Sequence, residues 1–438
     1  MVDALRIGLA GLGTVGGAVW RLLNEKAPML TEQCGRPLQI VGVSARSKSP
    51  HSDLLTSTVT WYDNPSELAR SKDIDVFVEL IGGEDGVAKD CVEVALREGR
   101  HVVTANKALL ARHGVSLAKL AERKGGSLNF EAAVAGGIPI ISVLRESLIA
   151  NDISRVYGIL NGTCNYILTR MGEENASFSD CLSEAQRLGY AEADPSFDVE
   201  GHDTAHKLAI LTSLAFGSAV SIDDIYIEGI SNISAADIKA AAELGYKIKL
   251  LGVALQTETG IEQRVHPTMV PADSTIAQVV GVSNAVAVQS DLLGELFLSG
   301  PGAGGCATAS AVVSDLSNLA KVRLNGAVYQ PVFRFPASEL KPYKKGRMRA
   351  HAGGYFIRLS AYDKAGVFAS VAKRMAENNI SLESIVQRPM AEAAEGAKTI
   401  ILVTHQTTES AVRRALVAIT EDGNLSDKPQ MIRIERPA

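Results

Sequence analysis

The chain has 438 residues, 46% apolar and 21% charged, with a net charge of −5. At about 150 residues per domain this predicts two or three soluble units, and the acidic balance argues against nucleic acid or a membrane surface as partner. No apolar run reaches the ~18 residues of a membrane span, and five cysteines without a CxxC pair exclude a disulfide scaffold. The N-terminal Met-Val-Asp-Ala-Leu-Arg lacks a signal-peptide pattern, so a reducing cytoplasm is the expected location.

Residues 4–10 read as a buried strand, 11–16 as Gly-Leu-Gly-Thr-Val-Gly, and the next stretch as an amphipathic helix to about Lys26. Apolar runs at 38–44, 74–81, 101–105 and 127–134 predict strands, with helices at 86–98 and 107–124 among them. Strands alternating with helices predict βαβ units and a parallel sheet, so residues 1–145 form a doubly wound α/β unit. Residues 146–320 differ. Strand patterns at 153–160, 248–255, 262–270, 276–282 and 284–289 mix with helices at 201–217 and 234–244, which predicts an α+β unit. Gly300-Pro301-Gly302-Ala303-Gly304-Gly305 interrupts it, and a helix at about 305–325 returns to the first unit. Residues 333–352, with Lys341, Lys344, Lys345, Arg347 and Arg349, read as a solvated basic linker. The remaining 353–438 give the order βαββαβ (strand 355–361, helix 365–378, strands 380–388 and 398–404, helix 408–420, strand 430–435), a separate ferredoxin-like unit.

The glycine loop follows a strand and opens a helix, the context that gives a GxGxxG its meaning. Gly11 makes the tight turn, Gly13 admits a pyrophosphate, and Gly16 lets helix and strand pack closely. The helix start at Leu12, Thr14 and Val15 offers unpaired N–H groups to phosphate. The first unit is thus Rossmann-like. An acidic residue at the end of the second strand would bind the ribose 2′-OH of NAD. Here the chain reads Ser44-Ala45-Arg46-Ser47-Lys48, and Arg46 and Lys48 suit a 2′-phosphate, which favours NADP(H) without excluding NAD(H).

A dinucleotide fold does not specify the chemistry. Residues 189–208 hold Gly189, Glu192, Asp194, Asp198 and Glu200 in a Pro- and Gly-punctuated loop, then Asp203 and Lys207 at i, i+4 on a helix. A lysine ammonium can polarise and protonate a carbonyl under reduction, and a neighbouring carboxylate can hold it. The same spacing also describes an ordinary helix ion pair. His202 and His206 share the i, i+4 spacing of metal ligands, but no HExxH is present and a packed pair is the plainer reading.

Several long segments together resemble the homoserine dehydrogenase family: Gly-Leu-Gly-Thr-Val-Gly-Gly at 11–17, Val-Thr-Ala-Asn-Lys at 103–107, Phe-Glu-Ala-Ala-Val-Ala-Gly-Gly-Ile-Pro-Ile at 130–140, Asn-Gly-Thr-Cys-Asn-Tyr-Ile-Leu at 161–168, and 189–203 running into Lys207. The resemblance covers essentially the whole chain. It implies NAD(P)-dependent interconversion of L-aspartate 4-semialdehyde and L-homoserine, in threonine, methionine and isoleucine biosynthesis. Lys207 matches the general acid/base, Asp203 and Glu192 match substrate-binding carboxylates with Asp198 beside them, and Lys107 matches a lysine next to both cofactor and substrate. Glu131, with the carbonyls of Val134, Gly136 and Ile138, matches a monovalent-cation site, usually sodium; a hard cation suits such oxygen ligands. Gly189 is expected at the cofactor, and Gly302 and Gly304 resemble a second cofactor-contacting loop, although Cys306-Ala307-Thr308-Ala309 departs from the proline the family often has there. The middle unit is then a substrate and dimerisation domain. The tail resembles an ACT domain, through Asp363-Lys364-Ala365-Gly366-Val367, Ile380, Ile385 and Gln387, which implies an amino-acid effector, with L-threonine the expected one. A homodimer, or a tetramer through ACT pairing, is the family expectation. No GxxxxGK[ST] occurs, so a fused aspartate kinase is not expected.

Two other readings stand beside this one. Cys164 in Asn161-Gly162-Thr163-Cys164-Asn165 could serve as the nucleophile of an acylating semialdehyde dehydrogenase. The cofactor fold and the ACT-like tail could also make a non-catalytic sensor.

Overall fold

The computed structural model describes residues 3–48, 58–325, 330–346, 352–388 and 397–435. The chain opens with β1 (Leu5–Ala10), α1 (Thr14–Glu25), α2 (Ala27–Cys34), β2 (Leu38–Ser44), β3 (Thr60–Trp61), α3 (Pro65–Arg70), β4 (Val76–Glu79), α4 (Val87–Arg97), β5 (His101–Thr104), α5 (Lys107–Lys124) and β6 (Leu128–Asn129). These six strands form one parallel sheet in the order β3-β2-β1-β4-β5-β6. The strand order reverses between β1 and β4, and in such sheets the ligand crevice lies outside the strand ends at that point. Successive side chains on a strand face opposite ways. Leu5, Ile7 and Leu9 accordingly join a core with Val19 of α1, while Phe77 and Val102 join the opposite core with Leu109 and Leu117 of α5.

The strand predicted over 127–134 is cut to two residues, and a 3-10 turn at Glu131–Ala133 follows. Glu131 accounts for this. Its carboxylate accepts the backbone N–H groups of Ile141 and Ser142 at 2.8 Å each, and its own N–H goes to Asp315 at 3.0 Å. These bonds turn the chain out of the sheet toward α6 (Ile140–Ser142).

The second layer runs β7 (Ile153–Ile159), α7 (Gly162–Glu174), α8 (Phe178–Arg187), α9 (Ser196–Val199), α10 (His202–Phe216), β8 (Tyr226–Ile227), α11 (Ala235–Glu243), β9 (Tyr246–Thr257), β10 (Gly260–Pro271), β11 (Ser283–Ser290) and β12 (Gly294–Pro301). The strand predicted at 276–282 is instead a 3-10 turn, Thr275–Gln278. Ser274 and Gln278 side chains bond the carbonyls of Pro271 and Ala272, both at 2.6 Å, and buried Ile276, Ala277 and Val279 produce the apolar run that reads as strand. α12 (Gly305–Asn325) then returns to the first sheet, where Val312 and Leu316 share a core with Leu5 and Val19.

The tail comprises β13 (Ala352–Tyr362), α13 (Val367–Glu377), β14 (Leu382–Arg388), β15 (Ala397–Thr404), β16 (Thr407–Thr408), α14 (Glu409–Glu421) and β17 (Gln430–Ile434). Its strands lie in the order β17-β13-β15-β14, as a ferredoxin-like sandwich requires. It is not separate, however. β17 pairs in parallel with β10 through Thr268–Arg433 and Met269–Ile434, so an 11-stranded sheet runs through both units. The segment before it is not simply a solvated linker either. Phe333 is buried against Phe130, Arg334 donates to the carbonyls of Leu148, Ile149 and Asn151, and Tyr343 bonds the Ile261 carbonyl. Lys341, Lys344 and Lys345 are exposed. Arg347 and Arg349 lie outside the described residues.

Candidate active site

The nucleotide crevice is a cleft of about 760 Å³ lined by Gly11, Leu12, Gly13, Ser44, Ala45, Arg46, Ser47, Asp63, Leu80, Ile81 and their neighbours. Gly11 has φ +97, a left-handed backbone that favours glycine. A side chain at Gly16 would overlap the Gly11 carbonyl, whereas one at Gly13 would meet open space. That is the pattern for a bound pyrophosphate: two glycines close the turn, and the third leaves room for a ligand. Thr14 and Val15 begin α1 directly after Gly13, which lines the cleft. Arg46 faces it, but Lys48 lies over the Trp61 ring, 5.9 Å from its centroid. Asp63, which the sequence did not single out, also lines the cleft and accepts the Trp61 indole N–H at 2.7 Å. Gly304 has open space beside it, and Gly305 abuts Thr14, so the second glycine loop adjoins the first. Gly302 instead packs against the side chain of Asn284.

The charged cluster forms where the two sheets meet. Lys107 starts α5, with Asn106 as its side-chain cap, at the end of β5 in the first sheet. Asp203 and Lys207 lie one turn apart on the buried face of α10 in the second layer. Asp203 accepts Lys207 through Oδ2 at 2.7 Å and Lys107 through Oδ1 at 2.8 Å. Lys207 Nζ also donates to the Leu160 carbonyl at 2.7 Å. Asn161, which follows β7 and caps α7, donates to Asp198 at 2.8 Å and to Asp203 at 2.9 Å. Thr163 Oγ1 donates to the Tyr190 carbonyl and lies 3.4 Å from Asp198. Asn161 and Thr163 are site residues that sequence reasoning misses; their signal is the polar Asn-Gly-Thr directly after a buried strand.

The electrostatics separate the two lysines. Burial alone would push the Asp203 carboxyl up, but Lys207 and Lys107 hold it well below the usual carboxylate range. Burial pulls Lys207 below its ordinary value, and the charge of Lys107 adds to that against the pull of Asp203. Burial works on Lys107 in the same direction, but there Asp203 wins and raises it. Burial and Asp203 together raise Asp198. A lysine with a loosened proton beside a cofactor crevice is equipped for proton transfer.

The other predicted residues are placed as follows. Glu192 is exposed; its charge is felt by Lys107, and its carbonyl accepts from Gln186 at 3.0 Å. Gly189 lies in the same loop with φ +76. Glu131 is buried; burial raises its carboxyl, and Ala135 and Gly136 turn the chain through positive φ. Cys164 is buried, donates to the Asp198 carbonyl at 3.2 Å, and has its thiol pushed well up by burial and by Asp198, the opposite of an activated nucleophile. His202 and His206 both pack on the Phe197 ring.

Residues 11–131 match the family model described as "Homoserine dehydrogenase, NAD binding domain", 139–317 the model "Homoserine dehydrogenase", and 355–421 the model "ACT domain". Over 433 residues, 98% of this chain and 98% of the relative, the sequence is 43% identical to a homoserine dehydrogenase of Neisseria gonorrhoeae. The chain belongs to the homoserine dehydrogenase family. It is similar to the solved homoserine dehydrogenase from Thiobacillus denitrificans, with a TM-score of 0.93 and 42% identity over 99% of both chains. A hyperthermophilic archaeal homoserine dehydrogenase solved in complex with NADPH aligns over 75% of this chain and 99% of that one, at TM-score 0.64 and 28% identity. As a homoserine dehydrogenase the protein is an NAD(P)-dependent oxidoreductase acting on CH–OH, with an ACT domain at its C-terminus.

Proposed function

We propose that this homoserine dehydrogenase uses Lys207 as the general acid/base in the interconversion of L-homoserine and L-aspartate 4-semialdehyde, with NADP(H) as the favoured cofactor. The observation that carries this is the Asp203 carboxylate bridging a buried Lys207 and a second lysine from the other sheet. When bound, the nicotinamide supplies or accepts the hydride. Gly11, Leu12, Gly13, Thr14, Val15, Gly16 and Gly304 hold the dinucleotide, and Arg46 takes a 2′-phosphate. Gly189 lies at the cofactor through its own loop, while Gly302, packed on Asn284, supports Gly304 from behind. Lys207 gives its proton to the substrate oxygen during reduction and takes it back during oxidation. Lys107 stays charged beside it and steers the developing oxyanion. Asp198, Asp203 and Glu192 bind the polar groups of the amino acid.

On this reading the chain divides into residues 1–145 with the return helix 305–325, a substrate and dimerisation unit 146–320, a linker 333–352, and the ACT unit 353–438. Glu131 and the carbonyls of Val134, Gly136 and Ile138 hold a monovalent cation, sodium by chemistry. Glu131 is buried and its carboxylate accepts from Ile141 and Ser142 beside the 134–138 turn, which places an oxygen-rich carboxylate next to those carbonyls. L-Threonine is the proposed ACT effector; Gly366, at φ +90 with open space beside it, leaves backbone accessible next to α13. Exposed Ile385 and Gln387 lie on edge strand β14, which suits pairing of ACT units in a dimer or tetramer. Five free cysteines fit a cytoplasmic enzyme.

The test is absorbance at 340 nm with L-homoserine at alkaline pH, using NADP or NAD, with and without L-threonine. Faster reduction of NADP and suppression by threonine are expected. Faster reduction of NAD would overturn the role given to Arg46, and indifference to threonine would overturn the effector.

A further inference from the structure

Residues Tyr226–Ser231 lie between the ACT unit and the loop that carries Asp198. On one side, Arg433 of β17, 2% exposed, holds Glu409 through Nε at 2.9 Å and Nη2 at 2.8 Å, and reaches Glu228 Oε2 through Nη1 at 3.1 Å. Its guanidinium lies over the Tyr226 ring at 4.9 Å, and the Tyr226 hydroxyl donates to the same Glu228 oxygen at 2.9 Å. Glu228 N–H is fixed to the Val265 carbonyl of β10 at 2.8 Å. On the other side, the backbone at Gly229 packs directly onto Val199 and Glu200, where a side chain would overlap both. Ile230 N–H donates to the Val199 carbonyl at 2.8 Å, and Ser231 Oγ donates to Glu200 at 2.5 Å. Gly201, at φ +89 before α10, rests against Ile227 and Val265. Residues 226–231 therefore form a strap that backs residues 199–201, directly after Asp198.

We propose that Glu228, anchored by Arg433 of the ACT unit, is a positioning residue for the substrate site, acting through residues 229–231 on Asp198. This rests on the reading of Asp198 as a substrate-binding residue. Asp203 has its own anchors in Lys107, Lys207 and Asn161, whereas Asp198 depends on Asn161, Thr163 and the backbone around it. Loosening the strap thus moves Asp198 while leaving the Lys207–Asp203 pair in place. The nucleotide crevice belongs to the other sheet and is untouched. The expected signature is a change in KM for homoserine, with kcat and the KM for nucleotide retained.

Steady-state kinetics of Glu228→Ala, Glu228→Gln, Ser231→Ala and Asp198→Asn in the full-length enzyme test this. Glu228→Ala is expected to raise the homoserine KM about tenfold, the scale of one hydrogen bond to a charged group, with the nucleotide KM within about twofold. Glu228→Gln, which still accepts from Arg433 and Tyr226, recovers most of the loss, and Ser231→Ala gives a smaller rise in the same constant. Ser231 is exposed, so its variant decides the matter if Glu228→Ala fails to fold. A homoserine KM unchanged in the strap variants but raised by Asp198→Asn overturns the positioning role. Equal losses in kcat and both KM values overturn it as general structural damage. An unchanged KM in Asp198→Asn overturns the reading of Asp198 and the inference with it.

Discussion

Replacing Lys207 with Met removes the proposed acid/base with little change in side-chain length. The structure limits the collateral damage. Asp203 keeps Lys107 at 2.8 Å and Asn161 at 2.9 Å, so its buried charge is not orphaned, and the roughly 3–5 kcal/mol cost of breaking a buried pair is avoided. The Leu160 carbonyl loses its donor, which costs about 1–3 kcal/mol. A folded enzyme is therefore expected, with kcat for homoserine oxidation down about 10²–10⁴-fold, or roughly 3–5 kcal/mol in the barrier. The nucleotide KM should not move. The assay is nucleotide reduction at 340 nm across pH. Oxidation needs neutral Lys207, so in the wild type kcat rises with pH through its depressed pKa, and that limb disappears in Lys207→Met. Lys107 lowers the Lys207 pKa and Asp203 raises it. Hence Lys107→Met moves the limb to higher pH and Asp203→Asn moves it to lower pH. A Lys207→Met enzyme with kcat within about threefold of wild type would refute the assignment, since loss of one general acid/base costs far more. Shifts of the opposite sign in the two neighbours would refute the electrostatic argument.

Three further outcomes follow from the geometry. Gly16→Ala places a methyl against the Gly11 carbonyl and should cost about 1–3 kcal/mol or more by overpacking. Gly13→Ala should leave Tm unchanged but raise the nucleotide KM at least about tenfold by filling ligand space; calorimetry and kinetics of the pair separate the two roles. Arg46→Ala should lower kcat/KM for NADP about 10–100-fold, the worth of a bond to a charged group, and leave NAD nearly unaffected, with Lys48→Ala milder because Lys48 lies over Trp61. Lys249 is buried on the carbonyl of Val279 and the amide oxygen of Asn165, and burial with Lys247 nearby pulls it from 10.5 to about 8. The unfolded chain then binds more protons between those values, so this residue's contribution to stability grows as pH rises from 8 to 10.5. Urea midpoints of wild type minus Lys249→Met should show that rise, and a flat difference would show that Lys249 is not depressed.

Much of the molecule is written in local pattern. The first sheet is readable because its strands are buried on both faces and bounded by glycine, and the Gly11–Gly16 loop sits where a strand meets a helix. The middle layer was harder. α7 and α8 are hard to read because Gly162, Thr163, Asn165 and Thr169 in the first and Ser179, Asp180, Cys181 and Ser183 in the second give weak helical propensity; the Asn161 and Ser177 caps and tertiary packing sustain them. β12 escaped because it is an edge strand of intermediate and exposed residues without a clear alternation. The join of β17 to β10 rests on two backbone pairs and on the Arg264–Glu435 ion pair at 2.6 Å, contacts between residues 165 and 171 positions apart that no window along the chain can see. Within the site, Asp203 and Lys207 were visible as helix neighbours. The bonds of Asn161 to Asp198 and Asp203 span 37 and 42 positions and were not.

The two-sheet construction explains why Lys207, and not Lys107, suits proton transfer. Both lysines contact the same carboxylate at nearly the same distance, so the partner alone cannot distinguish them. Solvent does. The Lys107 side chain is 33% exposed and that of Lys207 10%, so desolvation bears harder on Lys207 while Asp203 prevails at Lys107. Lys107 comes from the first sheet and reaches Asp203 only when that sheet and α10 are brought together. Its charge then lowers the very group proposed to exchange the proton. A homoserine dehydrogenase built this way has its proposed base tuned by the closeness of its two layers. Any ligand or substitution that draws Lys107 away from Asp203 should therefore move the pH dependence of kcat before it moves the affinity for nucleotide.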